Sequence, residues 1–376
     1  MSTFNLKKLF SYTAVLSTLL PGSAIANQPP RGAVYTMTNA TNANKVLVYN
    51  RDAQGRLGAP QRYDTGGKGT GTSLGNQNAL VLDQANRCLY AVNAGSNQIS
   101  SFLVKADGLL LADKINSGGS RPVSVSVNRN LLYVLNAGGT VGNSDNISGF
   151  IVDKNCKMLP LADSTRPLSA ANTAPAQVQF TPDGQQLIVT EKSTNKISTY
   201  SVLPSGRVTG PRVFVSAGTT PFGFAFGKRD QLLVSEAAAG AANGGTVSSY
   251  LVKPNGDLQL ITSSLATTET ATCWVVVSND GRFAYVTNTG SESISGLRVS
   301  FGGNLSLLTA GGRTGLTGSG TTPIDLSLSN DGLNLYSLDN TRGTVAVFRV
   351  NLVTGQLVKL QTIAGLPAGA NGIAAR

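Results

Sequence analysis

A short β-rich run that ends in a polar residue recurs along this chain, followed each time by a loop and a second alternating strand. In one copy, residues 90–93 read Tyr-Ala-Val-Asn and residues 99–104 read Ile-Ser-Ser-Phe-Leu-Val. Apolar and polar positions alternate with period two in these runs, which predicts half-buried strands and gives no helical periodicity. The polar residue returns every 43 to 55 residues, and its seven occurrences are Asn39, Asn93, Asn136, Glu191, Glu236, Asn288 and Asp339.

Each copy also contains an opening apolar strand, tight turns and a fourth strand. The opening strand begins with proline in three copies, at Pro122, Pro221 and Pro323. Turns such as Asp280-Gly281 supply the positive φ angles that tight hairpins need. We therefore predict four short antiparallel strands in each of seven copies.

Four strands repeated seven times predict an all-β fold, a seven-bladed β-propeller. A single four-stranded sheet cannot bury both of its faces, whereas neighbouring blades in a closed ring cover one another. The chain ends fit such a ring, because the first copy lacks an opening strand before Tyr35 and the C-terminus supplies an orphan strand at 372–375. We expect this C-terminal strand to complete the first blade as its innermost strand.

The first 26 residues have the pattern of a secretory signal. Lys7 and Lys8 precede a mostly apolar run of about 12 residues, and Ala24-Ile25-Ala26 places small residues where cleavage occurs. The run is too short to span a bilayer, and no later stretch of about 18 apolar residues follows. We expect a propeller domain over residues 27–376, no membrane span, and a secreted or periplasmic location.

Composition narrows the chemistry. The chain has no histidine, which excludes Ser-His-Asp triads, histidine-ligated zinc and histidine general bases. Its net charge is +11, yet Lys and Arg are scattered singly without interleaved aromatic residues, so we expect no nucleic-acid partner. Of three cysteines, Cys273 lies in an apolar run and is expected to be a buried small hydrophobe. An exported chain permits a Cys88–Cys156 disulfide, with two free thiols as the alternative.

Two stretches of the repeat carry a resemblance to a known family. Residues 182–191 read Pro-Asp-Gly-Gln-Gln-Leu-Ile-Val-Thr-Glu, and residues 279–288 read Asn-Asp-Gly-Arg-Phe-Ala-Tyr-Val-Thr-Asn, ending in the YVTN repeat. With these repeats, nearly all of the chain resembles the seven-bladed propeller lactonases, a family that includes bacterial 6-phosphogluconolactonase and fungal carboxymuconate cyclase. The resemblance implies a lactonase-like hydrolase or isomerase. The cyclase of that family uses His, Arg and Glu near the central channel, and the histidine part of this pattern has no counterpart here.

In a propeller, the loops before the first strands and the loops after the second strands share one face, so the seven strand-end residues converge there. Asparagines at such positions often cap turns, whereas carboxylates in two neighbouring copies are harder to explain as turn chemistry. We therefore predict that Glu191 and Glu236 are catalytic, one of them as a general base. The residues predicted to bind substrate, with the basic ones holding an acidic group or an oxyanion, are Asn93, Asn136, Lys192, Asn288, Asp339, Arg121 and Arg342.

The leading hypothesis is an exported, monomeric, cofactor-free enzyme acting on a small anionic cyclic ester or sugar acid at the channel mouth. Two alternatives stay open. Glu191, Glu236, Asp339 and Asn288 could instead hold a hard cation such as Ca²⁺, which prefers oxygen ligands. The propeller could also be a non-catalytic scaffold that binds a ligand, glycan or protein at the cell envelope.

Overall fold

The computed structural model describes residues 1–2, 32–138 and 144–376. Apart from its first two residues, the predicted export signal lies outside the described residues, so export stays a prediction. No helical segment in the described part of the chain has the length and hydropathy to cross a bilayer.

The described residues form seven antiparallel sheets arranged as the blades of a propeller, as the repeat predicts. The first three blades contain β1 (Gly32–Met37), β2 (Lys45–Arg51), β3 (Leu57–Asp64); β4 (Leu80–Leu82), β5 (Cys88–Asn93), β6 (Gln98–Lys105), β7 (Gly108–Asn116); and β8 (Pro122–Asn128), β9 (Leu131–Asn136), β10 (Asn146–Val152), β11 (Met158–Pro160), β12 (Arg166–Pro167). The next two contain β13 (Pro175–Phe180), β14 (Gln186–Glu191), β15 (Lys196–Val202), β16 (Val208–Val215); and β17 (Pro221–Phe226), β18 (Gln231–Glu236), β19 (Thr246–Val252), β20 (Leu258–Ala266). The last two contain β21 (Thr272–Val277), β22 (Phe283–Asn288), β23 (Ser293–Val299), β24 (Leu305–Leu307), β25 (Gly315–Leu316); and β26 (Pro323–Leu328), β27 (Asn334–Asp339), β28 (Thr344–Val350), β29 (Leu357–Ala364).

Small departures from four regular strands occur in two blades. In the third and sixth blades the outer strand is split, so that β11 and β12 both pair with β10, and β24 and β25 both pair with β23. Single 3-10 turns follow β18 and β22, at Ala238–Gly240 and Thr289–Ser291. The predicted opening prolines Pro122, Pro221 and Pro323 each begin the innermost strand of their blade.

The C-terminal strand closes the ring, as predicted. Strand β30 (Asn371–Ala375) pairs antiparallel with β1 and places Ile373 opposite Thr36, so it is the innermost strand of the first blade. The preceding blade grips the same strand, because Asp325 Oδ2 accepts a hydrogen bond from the Ile373 N–H at 3.2 Å. Burial raises the pKa of Asp325 well above its usual range, although the backbone N–H groups of Leu326 and Ile373 act in the opposite direction.

Tyrosines of the second strands fasten neighbouring blades to each other. Tyr133, Tyr285 and Tyr336 are fully buried, and their rings pack in the core between blades. Each hydroxyl donates to a glycine carbonyl in the outer turn of the next blade, for example Tyr285 to Gly355 at 2.9 Å. Burial raises the pKa of Tyr133 to about 12, so these hydroxyls stay protonated donors at ordinary pH.

A disulfide joins the second and third blades. Cys88, at the start of β5, is bonded to Cys156 in the turn after β10, with 5.7 Å between their Cα atoms. This confirms the bridge that the sequence left open. Cys273 is free and buried, as predicted, and burial raises the pKa of its thiol to about 12.

The channel runs along the innermost strands between two faces of the propeller. We call upper the face where the innermost strands begin and the second strands end, and lower the face of the turns between them, such as residues 181–184. A segment that we call the plug, residues 74–78, leads into β4 and lies across the channel near its upper end. Asn76 and Gln77 in the plug are buried. The plug was not predicted.

Candidate functional site at the upper channel mouth

The strand-end polar residues do bring their side chains to the upper face, but hydrogen bonds hold them to their own blade and, for Asn93, also to Asn44 of the preceding blade. In all six copies from Asn93 to Asp339 the side chain is buried, and it bonds the third strand or the segment that leads into the first strand. The two predicted carboxylates, described next, show the pattern most fully.

Glu191 is fully buried and accepts four hydrogen bonds. Its Oε1 accepts from Ser198 Oγ at 2.7 Å and from the Ser169 N–H at 3.2 Å. Its Oε2 accepts from Thr194 Oγ1 at 2.9 Å and from Ser169 Oγ. The carboxylate thus ties the turn after β14 and strand β15 to the segment before β13. These contacts give Glu191 a structural role, and its predicted catalytic role stays a prediction.

Glu236 occupies the equivalent position in the next blade and makes equivalent contacts. Its Oε2 accepts from Thr246 Oγ1 at 2.5 Å, and its Oε1 accepts from the Gly218 N–H at 3.1 Å. Burial raises the pKa of Glu236 above its usual range, and hydrogen bonds from Ser248, Thr246 and Gly218 oppose that shift. Burial rather than repulsion from Glu191 is therefore the cause of the raised pKa.

The remaining strand-end residues repeat this arrangement with other side chains. The Nδ2 group of Asn93 donates to Ser100 at 2.8 Å, that of Asn288 to Ser295 at 2.8 Å, and that of Asn136 to Asn146 at 3.0 Å. Asp339 accepts from the backbone N–H groups of Thr322, Thr341 and Arg342. Their predicted substrate contacts also stay predictions.

The first copy is shifted by one residue from our assignment. Thr38, rather than Asn39, occupies the paired position at the end of β1, because its N–H donates to the Lys45 carbonyl at 2.9 Å. Asn39 follows in the left-handed region and donates to Thr72 and Gly369 carbonyls instead. The short polar side chain tolerates that backbone conformation, which a repeat pattern alone does not reveal.

Lys192 is the predicted residue whose side chain enters the channel mouth. It directly follows β14, is partly buried, and donates from Nζ to the Gly75 carbonyl of the plug. The ammonium lies 4.8 Å from the centroid of the Phe222 ring, an arrangement worth about 0.5–2 kcal/mol. Burial lowers the pKa of Lys192 to about 8; Cys273 opposes this shift and the positive charge of Arg121 adds to it.

Two aromatic rings form the wall beside Lys192. Phe222 at the start of β17 and Trp274 at the start of β21 are buried, with ring centroids 4.7 Å apart. Trp274 donates from Nε1 to the Asn76 carbonyl at 2.6 Å, so the only tryptophan of the chain packs against the plug. The wall therefore joins the plug, the aromatic pair and Lys192 in one place.

The basic residues predicted for this face lack acidic partners. Within the described ranges, Lys192, Arg121 and Arg342 form no ion pair with a carboxylate. Arg121 and Arg342 are exposed, and Arg342 donates from Nε to the Gly320 carbonyl at 3.2 Å. Cations without a carboxylate partner favour an anionic ligand beside them.

The hard-cation alternative finds no support in this part of the molecule. Across the described residues no three His, Cys, Asp or Glu side chains converge, so Glu191, Glu236 and Asp339 are not brought together as ligands. Their oxygens are occupied by backbone N–H groups and hydroxyls of their own blades.

The plug separates this mouth from the rest of the channel. Gln77 reaches across the ring, donating from Nε2 to the Val275 carbonyl at 2.8 Å and accepting from the Val275 N–H at 3.1 Å. Its own N–H donates to Ala176 at 3.0 Å. A Cβ at Gly223 would lie 2.0 Å from Gln77 Oε1, so only glycine leaves room for this amide. Below the plug, a cavity of about 540 Å³ opens to the lower face.

Comparisons with known proteins agree with this architecture. The family model described as "Lactonase, 7-bladed beta-propeller" matches residues 25–171, 143–276 and 257–370. No curated protein sequence matches the chain.

Solved structures with the same fold share little sequence with it. A presumed 6-phosphogluconolactonase from Bacteroides fragilis is 18% identical, with 92% of this chain and 98% of that chain covered and a TM-score of 0.71. The periplasmic gluconolactonase PpgL of Pseudomonas aeruginosa is 18% identical, with 90% and 98% covered and a TM-score of 0.72. A protein from Lactobacillus plantarum is 16% identical, with 92% and 99% covered and a TM-score of 0.74. At this identity the likeness supports the fold alone.

Proposed function

We propose that this chain, which belongs to the seven-bladed β-propeller lactonase family, hydrolyses an anionic sugar-acid lactone at its upper channel mouth. The observation that carries the proposal is the set of basic residues at that mouth, Lys192 and Arg121 above all, which lack carboxylate partners in the described chain. The neighbours named as gluconolactonases act, by those names, on sugar-acid lactones.

In the proposed lactone hydrolysis, the protein assists electrostatically. Water attacks the lactone carbonyl, the ring C–O bond breaks, and the departing alkoxide takes up a proton, leaving an open hydroxy acid. A partly buried ammonium with a pKa of about 8 can stabilise the developing oxyanion or donate that proton. In this proposal Lys192 contacts the reacting ester, Arg121 holds the anionic group, and Phe222 and Trp274 shape the wall.

We also propose export to the periplasm or the medium. The disulfide between Cys88 and Cys156 supports it, because such bonds persist mainly in oxidising compartments. The periplasmic designation of the Pseudomonas neighbour is in keeping with that location.

The test is an assay of the purified protein against lactones that differ only in charge. A phosphorylated, a carboxylated and a neutral six-membered sugar lactone would be followed by acid release. We expect hydrolysis of a charged lactone, and we expect Lys192→Met to lower its kcat/KM by roughly 10- to 100-fold, the range of one lost charge-assisted hydrogen bond.

The matched control is Lys154→Met, which removes an exposed lysine from the turn after β10 on the other face. It should leave turnover unchanged. A Lys192→Met variant that is folded and fully active would contradict the assignment, as would a wild-type protein that hydrolyses none of the three lactones.

A second candidate is a scaffold that binds the same anion without turnover. The hydrogen bonds that Glu191 and Glu236 accept favour it, since they occupy both of the carboxylates predicted to act as a general base. Calorimetry with the open sugar acid would show binding that depends on Lys192 while the lactone assay stays blank.

A further inference from the structure

We propose that the cavity below the plug is a second binding site, and that its ligand is a neutral sugar or polyol. It lies on the side of the plug away from Lys192. The proposal therefore does not depend on the lactonase function of the upper mouth.

The cavity has the size and shape of a ligand site. Its volume of about 540 Å³ lies within the range of roughly 300–1,000 Å³ that is typical of small-molecule sites. Gln77 forms its inner end, and the turns between the first and second strands form its rim. The bonds of Gln77 to Val275 and Ala176 hold that inner end in place.

Amide side chains on the wall have unused hydrogen-bonding capacity. Gln179 Oε1 accepts from Gln177 Nε2 at 2.8 Å, which leaves the Gln179 amide nitrogen available. The side chain of Asn128, at the end of β8, has no hydrogen-bond partner among the described residues, and both amides are only partly buried. Gly184 in the next turn leaves room for it, since a Cβ there would lie 2.8 Å from Asn128 Oδ1. Amides that donate and accept at once match vicinal hydroxyl groups.

The innermost strands hold one another through side chains along the cavity wall. Each strand has a paired strand on one side only, and side chains of the neighbouring blade bond part of its other edge. Gln177, for example, bonds both the N–H and the C=O of Phe224, and Ser126 accepts from the Phe180 N–H. Ser327 on β26 also lines the wall and is partly buried.

Apolar surface stands beside these polar groups. Phe226, Val277 and Leu328 line the cavity near its rim and are partly buried. The Phe226 ring is fixed edge-on against Phe224, with centroids 5.9 Å apart. A sugar ring presents a C–H face together with its hydroxyls, so a wall of aromatic and aliphatic carbon next to free amides complements it.

The residues that line the cavity favour an uncharged ligand over an anion or a cation. None of the described residues that line the cavity is Lys or Arg, so an anion finds no counter-charge there. The carboxylate among them, Asp83, is already engaged, because Oδ1 accepts from the N–H groups of Arg87 and Cys88 at 2.6 and 3.1 Å. Because the lining provides neither a cationic side chain nor an available carboxylate, it fits a neutral polyhydroxyl ligand.

The test is calorimetric titration of the intact protein with glucose, cellobiose and maltose, and with gluconate as the charged comparison. We expect saturable binding of at least one neutral sugar, weakened tenfold or more in Asn128→Leu and in Gln179→Leu. Gluconate should not compete for it, and Lys192→Met should not change it. Because the contacts are uncharged, the affinity should also be insensitive to added salt.

The control is Gln259→Leu, which removes an exposed amide from outer strand β20. It should bind the sugar as the wild type does. Absence of saturable binding for all three sugars would overturn the proposal, as would binding that survives in both cavity variants while they remain folded. If the cavity variants unfold, NMR saturation transfer from the wild-type protein to the bound sugar replaces them, with a second neutral sugar as competitor. A transfer signal that the competitor removes would support the proposal, and its absence would overturn it.

Discussion

The two mouths of the channel are built from the same seven innermost strands, yet their chemistry differs. At the upper mouth, where the strands begin, Lys192 and Arg121 form no ion pair with a carboxylate of the described chain. The aromatic pair Phe222 and Trp274 lies beside Lys192. At the lower mouth, where the strands end, the cavity is lined by amides, hydroxyls and apolar carbon, without Lys or Arg among its described residues.

The difference arises from the segments that connect the strands at each face. The lower turns are tight hairpins such as Asp183-Gly184, so the strand ends and the first residues of these turns form the wall. The upper segments are longer and carry insertions, of which the plug is the most consequential. One propeller can therefore offer a charged site and a neutral site on one axis, provided that something keeps them apart.

The largest predicted difference between the two mouths is in their dependence on pH. The pKa of Lys192 is lowered to about 8 by burial, so the ammonium loses its proton as the pH rises through that value. If the charged form assists the reaction, kcat/KM for an anionic lactone should fall above pH 8 by up to about tenfold per pH unit, after subtraction of spontaneous hydrolysis. Sugar binding at the lower mouth should not change over the same range.

The control for this profile is Lys192→Arg, which keeps the charge to far higher pH. If that variant is active, its alkaline limb should move out of the measured range. An identical limb in wild type and Lys192→Arg would show that another group titrates.

The sequence predicted the fold well because the propeller repeat is local. Alternation, Asp-Gly turns and opening prolines such as Pro122 are read within about ten residues, and ring closure follows from counting strands. It predicted the candidate site less well. Lys192 was found because it adjoins a strand end, whereas Gln77 bonds Val275 across 198 residues of sequence and nothing near position 77 indicates it.

Glu191 shows another limit of the sequence. In the sequence, a carboxylate at a strand end has the same pattern whether it contacts a substrate or bonds its own blade. What distinguishes the two is the set of donors, and here these come from Ser169 on one side and Ser198 on the other. Only the folded chain brings those serines together.

The next largest predicted effect is on stability, in a variant of Glu191. It tests whether the upper mouth uses a catalytic carboxylate in addition to its basic residues. Glu191→Gln replaces one accepting oxygen by a donor that faces the Ser169 and Thr194 groups. We expect a loss of about 1.5–3 kcal/mol in the free energy of unfolding, the range for hydrogen bonds to a charged group. Turnover per folded molecule should change little.

Chemical denaturation and active-site-normalised kinetics on the same samples would separate the two roles. Glu292→Gln is the comparison variant, because that partly buried carboxylate accepts one hydrogen bond, from Gly320. Unchanged stability together with abolished turnover in Glu191→Gln would establish the catalytic role predicted from the sequence and place an acid at the upper mouth.

The smallest effect concerns the barrier between the mouths. Gln77→Ala removes both bonds to the Val275 backbone and leaves a buried N–H and C=O without their partner, at a cost of about 1–3 kcal/mol. Trp274, which bonds the plug at Asn76, should report the change in its fluorescence. Because the plug is then less firmly held, we expect Gln77→Ala to weaken sugar binding in the cavity below and to lower the Lys192-dependent activity above.

The control is Gln179→Ala, which alters the cavity wall without changing the plug and should weaken sugar binding alone. A Gln77→Ala protein with unchanged sugar binding and unchanged activity would show that neither site depends on the plug.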